Sequence, residues 1–388
     1  MDTKQSVILL TLVTAALACS QHQDCDTCSS SSIKILFTRK SCVWCPLTNS
    51  CHISGIPNTY CNGGQLAKSS AQCSSIADPP MTYDPALAAE LAKWASLSYV
   101  DPKVYDKASI QSAVSTQFGS NYQVVEFLTV DCDWIFQFDF CSAVIAKSLA
   151  DDRIIVAFEG TSSPAQLTEQ FVLSFTGLKS FDPTGGEILE YNKKTHDALY
   201  PCVKSLLEEL LTAQPTAEVM VTGHSLGGAQ AQLAAAHLVK DGVVSSDKLH
   251  VYTFGSPRVG DKDFAYGYDR LLGNSWRVTR KNDPIPLIVI KSTIPISLPN
   301  SCFHTRREVY YSGSGIMTSA TAHKICMSNE AENGCLEKDG FCVLPDCFLL
   351  DHQKYFSSDL PQLMKGAISK NGTPPTQGTR GACRSYAI

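Results

Sequence analysis

Neither a surplus of positive charge nor a long apolar run occurs in this 388-residue chain beyond its first segment. Lysine and arginine number 32 against 37 aspartates and glutamates, a net charge of −5. That balance lacks the basic footprint of a nucleic-acid binder and excludes such a partner. After the N-terminus no stretch approaches the roughly 20 apolar residues that span a bilayer, so no transmembrane segment is expected. Internal repeats are absent as well, which sets aside a repeat architecture. What the chain does have is 17 cysteines, a number that fits an oxidising compartment.

Lys4 precedes a short apolar run from Val7 to Ala18, ending in the small-x-small pattern Ala16-Leu17-Ala18. This is the layout of a secretory signal peptide, so residues 1–20 are expected to be removed and the mature protein to be soluble and secreted. The cut sets the cysteine count. Cleavage just after Ala18 keeps Cys19 and leaves an odd set, whereas cleavage one or two residues later removes it. In the second case seven cysteines lie between Cys25 and Cys73 and nine between Cys132 and Cys383. Odd plus odd, with all paired, requires a bridge between the two regions, with Cys383 as its expected far end.

Residues 21–78 hold Cys25, Cys28, Cys42, Cys45, Cys51, Cys61 and Cys73 among Ser, Gly and Asn. So small a segment, poor in apolar periodicity, needs disulfide staples. Its two C-x-x-C pairs also match zinc or redox spacing, but structural bridges are the expectation in a secreted chain. Cys42-Val43-Trp44-Cys45, followed by Cys51, loosely resembles the small cysteine-rich module of plexins, semaphorins and integrins. That likeness implies a binding or positioning knot.

Asp78-Pro79-Pro80 reads as a linker into a second domain, residues 84–360. There Leu87, Leu91, Trp94 and Ala95 have the spacing of an amphipathic helix from Pro85 to Tyr99. Val124 to Val130 reads as a strand, and Ala143 to Ala146 with Ile154 to Phe158 as a hairpin about Asp151-Asp152. Leu199, Val203, Leu206, Leu207 and Leu210 mark a helix, and strands follow at Leu249 to Phe254 and near Trp276 to Thr279. This alternation predicts an α/β layered sheet. Residues 361–388, rich in Gly, Thr and Pro, read as a tail, with a glycosylation acceptor pattern at Asn371-Gly372-Thr373 weakened by Pro374.

Val219 to Gly228 reads V-M-V-T-G-H-S-L-G-G. An apolar strand runs straight into Gly223-His224-Ser225-Leu226-Gly227, and an alanine-rich helix follows. This is the G-x-S-x-G nucleophile elbow in its expected context. A serine hydroxyl is a poor nucleophile, so it must protrude where a histidine takes its proton and backbone N–H groups meet an oxyanion. Ser225 is the candidate nucleophile.

Partners for Ser225 are sought after it, in the order serine, acid, histidine that such folds use. Asp283, in Lys281-Asn282-Asp283-Pro284-Ile285-Pro286, follows a strand whose C-terminal end is where chemistry is placed. Asp261, Asp263 and Asp269 compete from a charged stretch that reads as solvated surface. For the base, His237, His250, His304, His323 and His352 are available, and spacing alone leaves His304 and His352 level. His224 is excluded because neighbours on an elbow point elsewhere.

From about Pro85 to Leu360 the chain resembles the class 3 lipases. The likeness rests on five ordered blocks: Phe158-Glu159-Gly160-Thr161, Val221 to Ala229, Thr253 to Gly260, Asn282 to Pro286 and Asp351-His352-Gln353-Lys354-Tyr355-Phe356. It implies an α/β-hydrolase fold with a central, mostly parallel sheet and a helical lid. It also implies His352 as base, a structural His304, and an oxyanion hole from the backbone N–H groups of Thr161 and Leu226. Glu159, where the family usually has arginine, and Leu167, near a missing tryptophan, depart from the pattern.

Between residues 166 and 181, Leu167, Phe171, Phe175 and Leu178 share one face at helical spacing, with Val172 and Phe181 beside it. The resemblance implies that this segment is a lid, with an apolar underside that opens at a lipid interface. The expected function is hydrolysis of lipid acyl esters, most directly acylglycerols, without metal or organic cofactor. Alternatives are a phospholipase A1-type or soluble-ester hydrolase, and, in a different class, a catalytically silent lipid-binding or adhesion protein.

Overall fold

A cysteine-dense segment with few apolar residues has to fold around its cross-links, and the first of the chain's two units does so. The structure, a computed structural model, describes residues 18–22, 25–35, 38–45, 50–55, 66–69, 82–99, 106–131, 140–160, 177–287, 302–313, 315–327, 349–356 and 358–359. It divides into residues 1–82 and 83–388. In the first unit a short helix α1 (Cys25–Ser29) precedes three antiparallel strands, β1 (Ser32–Ile35), β2 (Thr38–Cys45) and β3 (Ser50–Ile53). Disulfides Cys19–Cys42 and Cys28–Cys51 sit in its core with Trp44, Ile53 and Ala67. Each closes a loop of about the length for which the chain-entropy account gives roughly 3 kcal/mol.

These pairings revise two expectations. Cys19 is bonded to Cys42, so the module begins ahead of residue 21. A leader ending at Ala18 preserves that bond, while one ending at residue 20 removes half of it. The expected bridge to Cys383 assumed that every remaining cysteine is paired, but Cys302 is a buried free thiol. Cys383 itself lies outside the described residues. Neither C-x-x-C pair closes on itself, since Cys28 bonds Cys51 and Cys42 bonds Cys19. Among the described residues one group of metal-ligand type occurs, Cys19, Cys42 and Cys51, and its sulfurs are all in disulfides.

The second unit opens with α2 (Pro85–Leu97) and α3 (Lys107–Phe118). Asp84 caps α2 by accepting from the N–H groups of Ala86 and Leu87, with Pro85 at the first helical position. Then follow β4 (Tyr122–Asp131), β5 (Phe140–Ser148), β6 (Arg153–Phe158), β7 (Leu178–Ser180), β8 (Glu187–Leu189) and α4 (Glu190–Ala213). After these come β9 (Glu218–His224), α5 (Leu226–Lys240), β10 (Leu249–Phe254), α6 (Lys262–Leu271), β11 (Ser275–Arg280), β12 (Arg307–Tyr311) and β13 (Lys324–Met327). The last described elements are α7 (Leu349–His352), β14 (Lys354–Tyr355) and β15 (Ser358–Asp359).

Eight strands form one sheet in the order β13-β12-β11-β10-β9-β6-β5-β4. From β6 to β12 neighbours are parallel, and β4, β5 and β13 add antiparallel edges. The apolar runs Ile154–Phe158 and Val219–Val221 are buried, as suits strands covered on both faces. On one face Val219 and Val221 pack with Ala231, Ala234 and Ala235 of α5 and Leu199 and Val203 of α4. On the other, the Thr222 hydroxyl donates to the carbonyl of Leu91 in α2. Small residues on α5 let that helix lie close to the strands, which brings its N-terminus to the sheet's C-terminal edge.

Leu178 does not extend a lid helix. It opens β7, paired antiparallel with β8 in the register Leu178↔Leu189, and Phe181 is buried at the hairpin's end. Apolar spacing of three and four fits a helix, but pairing with Glu187–Leu189 prevails over it here. Leu167, Phe171, Val172 and Phe175 lie outside the described residues. Asp269, read as solvated, is buried, and its carboxylate accepts from the Arg306 N–H at 3.1 Å.

Between α4 and α5 the imidazoles of His196 and His237 are hydrogen bonded at 2.6 Å and stacked with Tyr200. Burial holds His196, His224 and His304 well below the ordinary imidazole value of 6.5. Each is neutral when folded and takes up a proton when unfolding below about pH 6.5, so stability present above that pH is lost as pH falls through it. Three such groups give a slope of up to about 4 kcal/mol per pH unit. Urea midpoints at pH 8, 6.5 and 5 are expected to fall slightly over the first interval, by about 1 kcal/mol in stability, and several-fold more over the second. Equal midpoints at pH 6.5 and 5 would show that these imidazoles are protonated in the folded state.

Candidate active site

β9 ends at His224 and α5 starts at Leu226, so one residue, Ser225, must turn the chain from strand to helix. It does so with φ 58° and ψ −129°, a left-handed backbone that L-residues adopt only under constraint. Its N–H is tied to the Phe254 carbonyl at 2.9 Å. Gly223 and Gly227 permit the turn: a Cβ on Gly223 would lie 2.2 Å from the Gly227 carbonyl oxygen, and one on Gly227 would lie 2.3 Å from that of Phe158. Ser225 thus stands at the start of a 15-residue helix, whose first N–H groups, beginning with that of Leu226, suit a developing negative charge. Thr161, the second expected oxyanion donor, lies outside the described residues. Gly160, just before it, abuts the elbow: a Cβ there would lie 2.5 Å from the His224 carbonyl oxygen.

Asp283 follows β11 and is fully buried. Its carboxylate accepts from the Ile285 N–H at 2.9 Å, the Tyr355 O–H at 2.5 Å and His352 Nδ1–H at 3.0 Å. Desolvation, then the carboxylate beside it, pushes the Tyr355 phenol well above its ordinary range, so it is a donor. With its proton held on Nδ1, the His352 ring presents the Nε2 lone pair as a base. Nε2 of His352 and Oγ of Ser225 are both buried, and neither has a hydrogen-bond partner among the described residues. Unsatisfied buried polar atoms are costly and rare. Here they belong to the candidate nucleophile and the candidate base, and hydrogen bonds between such groups often tighten only with substrate in place.

His224 joins the elbow to His352. Its Nε2–H donates to the His352 carbonyl at 2.7 Å, and its Nδ1 accepts from the Tyr99 O–H at 2.6 Å. The rings of His224 and His352 are 4.3 Å apart. Other candidate histidines bond elsewhere: His304 to the Pro286 carbonyl, His237 to His196, His250 to Asn274 and His323 to the Thr321 carbonyl. Asp261 caps α6 through the Phe264 N–H, and Asp263 is exposed. Tyr99, Arg280 and Tyr355 are not singled out by the sequence. Only Tyr355 carries a signal, its place three residues after His352 in one block.

Gly255 marks how closely the pair is packed. Its φ is +56°, and a Cβ there would lie 2.6 Å from Asp283 Oδ2 and 2.9 Å from His352 Nδ1. Since both neighbours are buried, Gly255→Ala is expected to displace the imidazole. A shift of that kind costs about 100-fold in kcat, and the backbone strain about 1–3 kcal/mol of stability. Ester turnover and thermal unfolding of the purified variant test this; unaltered turnover would mean that the pair is not held as described.

Comparison with known proteins agrees in both sequence and fold. The profile of the family described as Lipase (class 3) matches residues 155–292. A lipase of Caenorhabditis elegans is 32% identical over 282 residues, 66% of this chain and 77% of that protein. The secreted mono- and diacylglycerol lipase 1 of Fusarium solani is 46% identical over 159 residues, 40% of this chain and 42% of that one. The chain spans half the length of the curated Rhizopus lipases it matches. A crystal structure of the lipase from Rhizopus microsporus var. chinensis superposes with a TM-score of 0.53 at 23% identity, covering 73% of this chain and 95% of that one.

Proposed function

Because the chain belongs to the class 3 lipases, carboxylic ester hydrolases, we propose that it is a secreted enzyme that hydrolyses acylglycerols, with Ser225 as nucleophile, His352 as base and Asp283 as its orienting acid. The observation that carries this reading is the buried Asp283–His352 pair beside the elbow, with Ser225 Oγ and His352 Nε2 both unbonded. Ser225 Oγ attacks the ester carbonyl as its proton passes to Nε2. The tetrahedral oxyanion is met by the Leu226 N–H and by that of Thr161. Collapse expels the alcohol, protonated by His352, and leaves an acyl-serine. Water, deprotonated by the same imidazole, then releases the fatty acid.

Secretion is supported by the disulfides at Cys19, Cys28, Cys42 and Cys51, which persist in oxidising compartments, and by the signal-like N-terminus. Among the described residues no helix is long and apolar enough to cross a membrane. An acylglycerol substrate accords with the Fusarium relative's name and with the apolar residues Leu167, Phe171 and Phe175, which we assign to the interfacial lid.

Labelling of the folded protein by a fluorophosphonate, lost in Ser225→Ala, tests the chemistry. Absence of labelling would leave a silent lipid-binding protein. Turnover of emulsified triacylglycerol, diacylglycerol, phospholipid vesicles and a short soluble ester tests the substrate. The expected result is greatest turnover on acylglycerol, rising above its solubility limit. Greatest turnover on phospholipid would overturn the assignment.

A further inference from the structure

The base stands on a segment that the large sheet does not hold. Among the described residues β14 pairs only with β15, and α7 is a single turn, so other contacts must fix His352 against Asp283. One is its own hydrogen bond to that carboxylate, and another is the His224 bond to its carbonyl. A third comes from Arg280, the last residue of β11 and 3% exposed. Its Nη1–H donates to the Lys354 carbonyl at 2.6 Å, and its Nη2–H donates to the Gly315 carbonyl at 2.9 Å. Nη2 also lies 3.4 Å from a carboxylate oxygen of Asp351. Residues on both sides of His352 are therefore held by one guanidinium.

The anchor of that guanidinium is rigid. β11 lies between β10 and β12, with Arg280 in register with Tyr311, and Asp283 follows three residues later. The strand end that delivers the acid also sets the height of the loop that delivers the base. We propose that Arg280 is a positioning residue for the hydrolysis, holding the His352 segment at the distance and tilt at which Nδ1 meets Asp283. It touches neither substrate nor reacting atoms and acts through the loop. A planar fork with several fixed donors suits two carbonyls and a carboxylate at once; lysine, a point charge, does not.

This inference rests on His352 being the base, and the test separates the two. In the full-length protein, wild type is first labelled with a fluorophosphonate; failure at this stage sinks the proposed function itself. Arg280→Gln, Arg280→Lys and Asp351→Asn are then compared on a soluble short-chain ester. Each is also followed by labelling rate and by the downfield proton resonance of the His352 Nδ1–H. Misplacement of a catalytic group predicts that Arg280→Gln lowers kcat and labelling about 100-fold with KM little changed. The Nδ1 proton signal should broaden or vanish, and Arg280→Lys should restore part of each. Asp351, partly exposed, gives up only the ion pair, for a fall of about fivefold.

A wild-type rate and resonance in Arg280→Gln would overturn the proposal, as would a loss residing wholly in KM or in the unfolded fraction. Should Arg280→Gln fail to fold, Asp351→Asn decides: an unchanged kcat with an unchanged resonance counts against it, and a lowered kcat with an altered resonance supports it.

Discussion

Replacing Ser225 with alanine is expected to lower kcat for ester hydrolysis by about 10⁶-fold, the scale on which nucleophile deletions act in serine hydrolases. The pair Asp283–His352 should survive the change, because its bonds run to Ile285 and Tyr355 and not to the serine. Substrate binding should survive as well, so the loss is expected in kcat and not in KM. Single-turnover measurement on a chromogenic ester reads it directly, and retention of even a hundredth of the rate would transfer the nucleophile's role elsewhere. A companion effect concerns folding. At φ 58° and ψ −129° the serine is strained, and glycine tolerates that region freely. Ser225→Gly should therefore be more stable than Ser225→Ala by about 1–3 kcal/mol. Equal unfolding midpoints for the two would remove the strain argument.

Asp283→Asn is expected to cost about 10⁴-fold in kcat near neutrality. The carboxylate accepts from three donors, and an amide of the same shape has one accepting oxygen and one donating nitrogen. If the amide nitrogen faces His352, the imidazole must present its Nδ1 lone pair and carry its proton on Nε2. That tautomer cannot take a proton from Ser225. If the nitrogen faces Tyr355, the phenol must turn to accept, and its bond of 2.5 Å to a charged oxygen is replaced by a weaker one. The loss is read as kcat in a variant whose thermal unfolding remains cooperative. A fall of less than tenfold would mean that Asp283 does not set the tautomer of His352.

The parts of this fold that sequence made legible are those where local demands and tertiary ones agree. Ile154 to Phe158 and Val219 to Val221 are apolar without alternation, and they become strands buried on both faces. Gly223 and Gly227 sit where a Cβ would collide with neighbouring backbone, so their spacing around a serine is visible without any structure. Asp283 is marked by its place just past a strand end. His352 is marked by the family resemblance, because spacing leaves it level with His304. The two prove to be hydrogen bonded. What stayed hidden depends on partners far away in sequence. Leu178 fits a helical stripe, but its partner is Leu189 in a neighbouring strand. Asp269 looks like surface until Arg306 arrives to donate to it. Tyr99, Arg280 and Tyr355 act across 125, 74 and 72 residues respectively, and no periodicity reports such distances.

The placement of His352 on α7, after β13, bears on how the protein is made. During synthesis Ser225 is made first, Asp283, three residues past β11, follows, and His352 comes last. Until residues from 349 onward are made, no imidazole can meet Asp283 in the way His352 does, so the proposed nucleophile and acid stand without the proposed base. On the proposed roles, ester hydrolysis therefore requires the chain to be made at least through residue 352, and a truncation ahead of α7 would leave Ser225 and Asp283 without their partner imidazole.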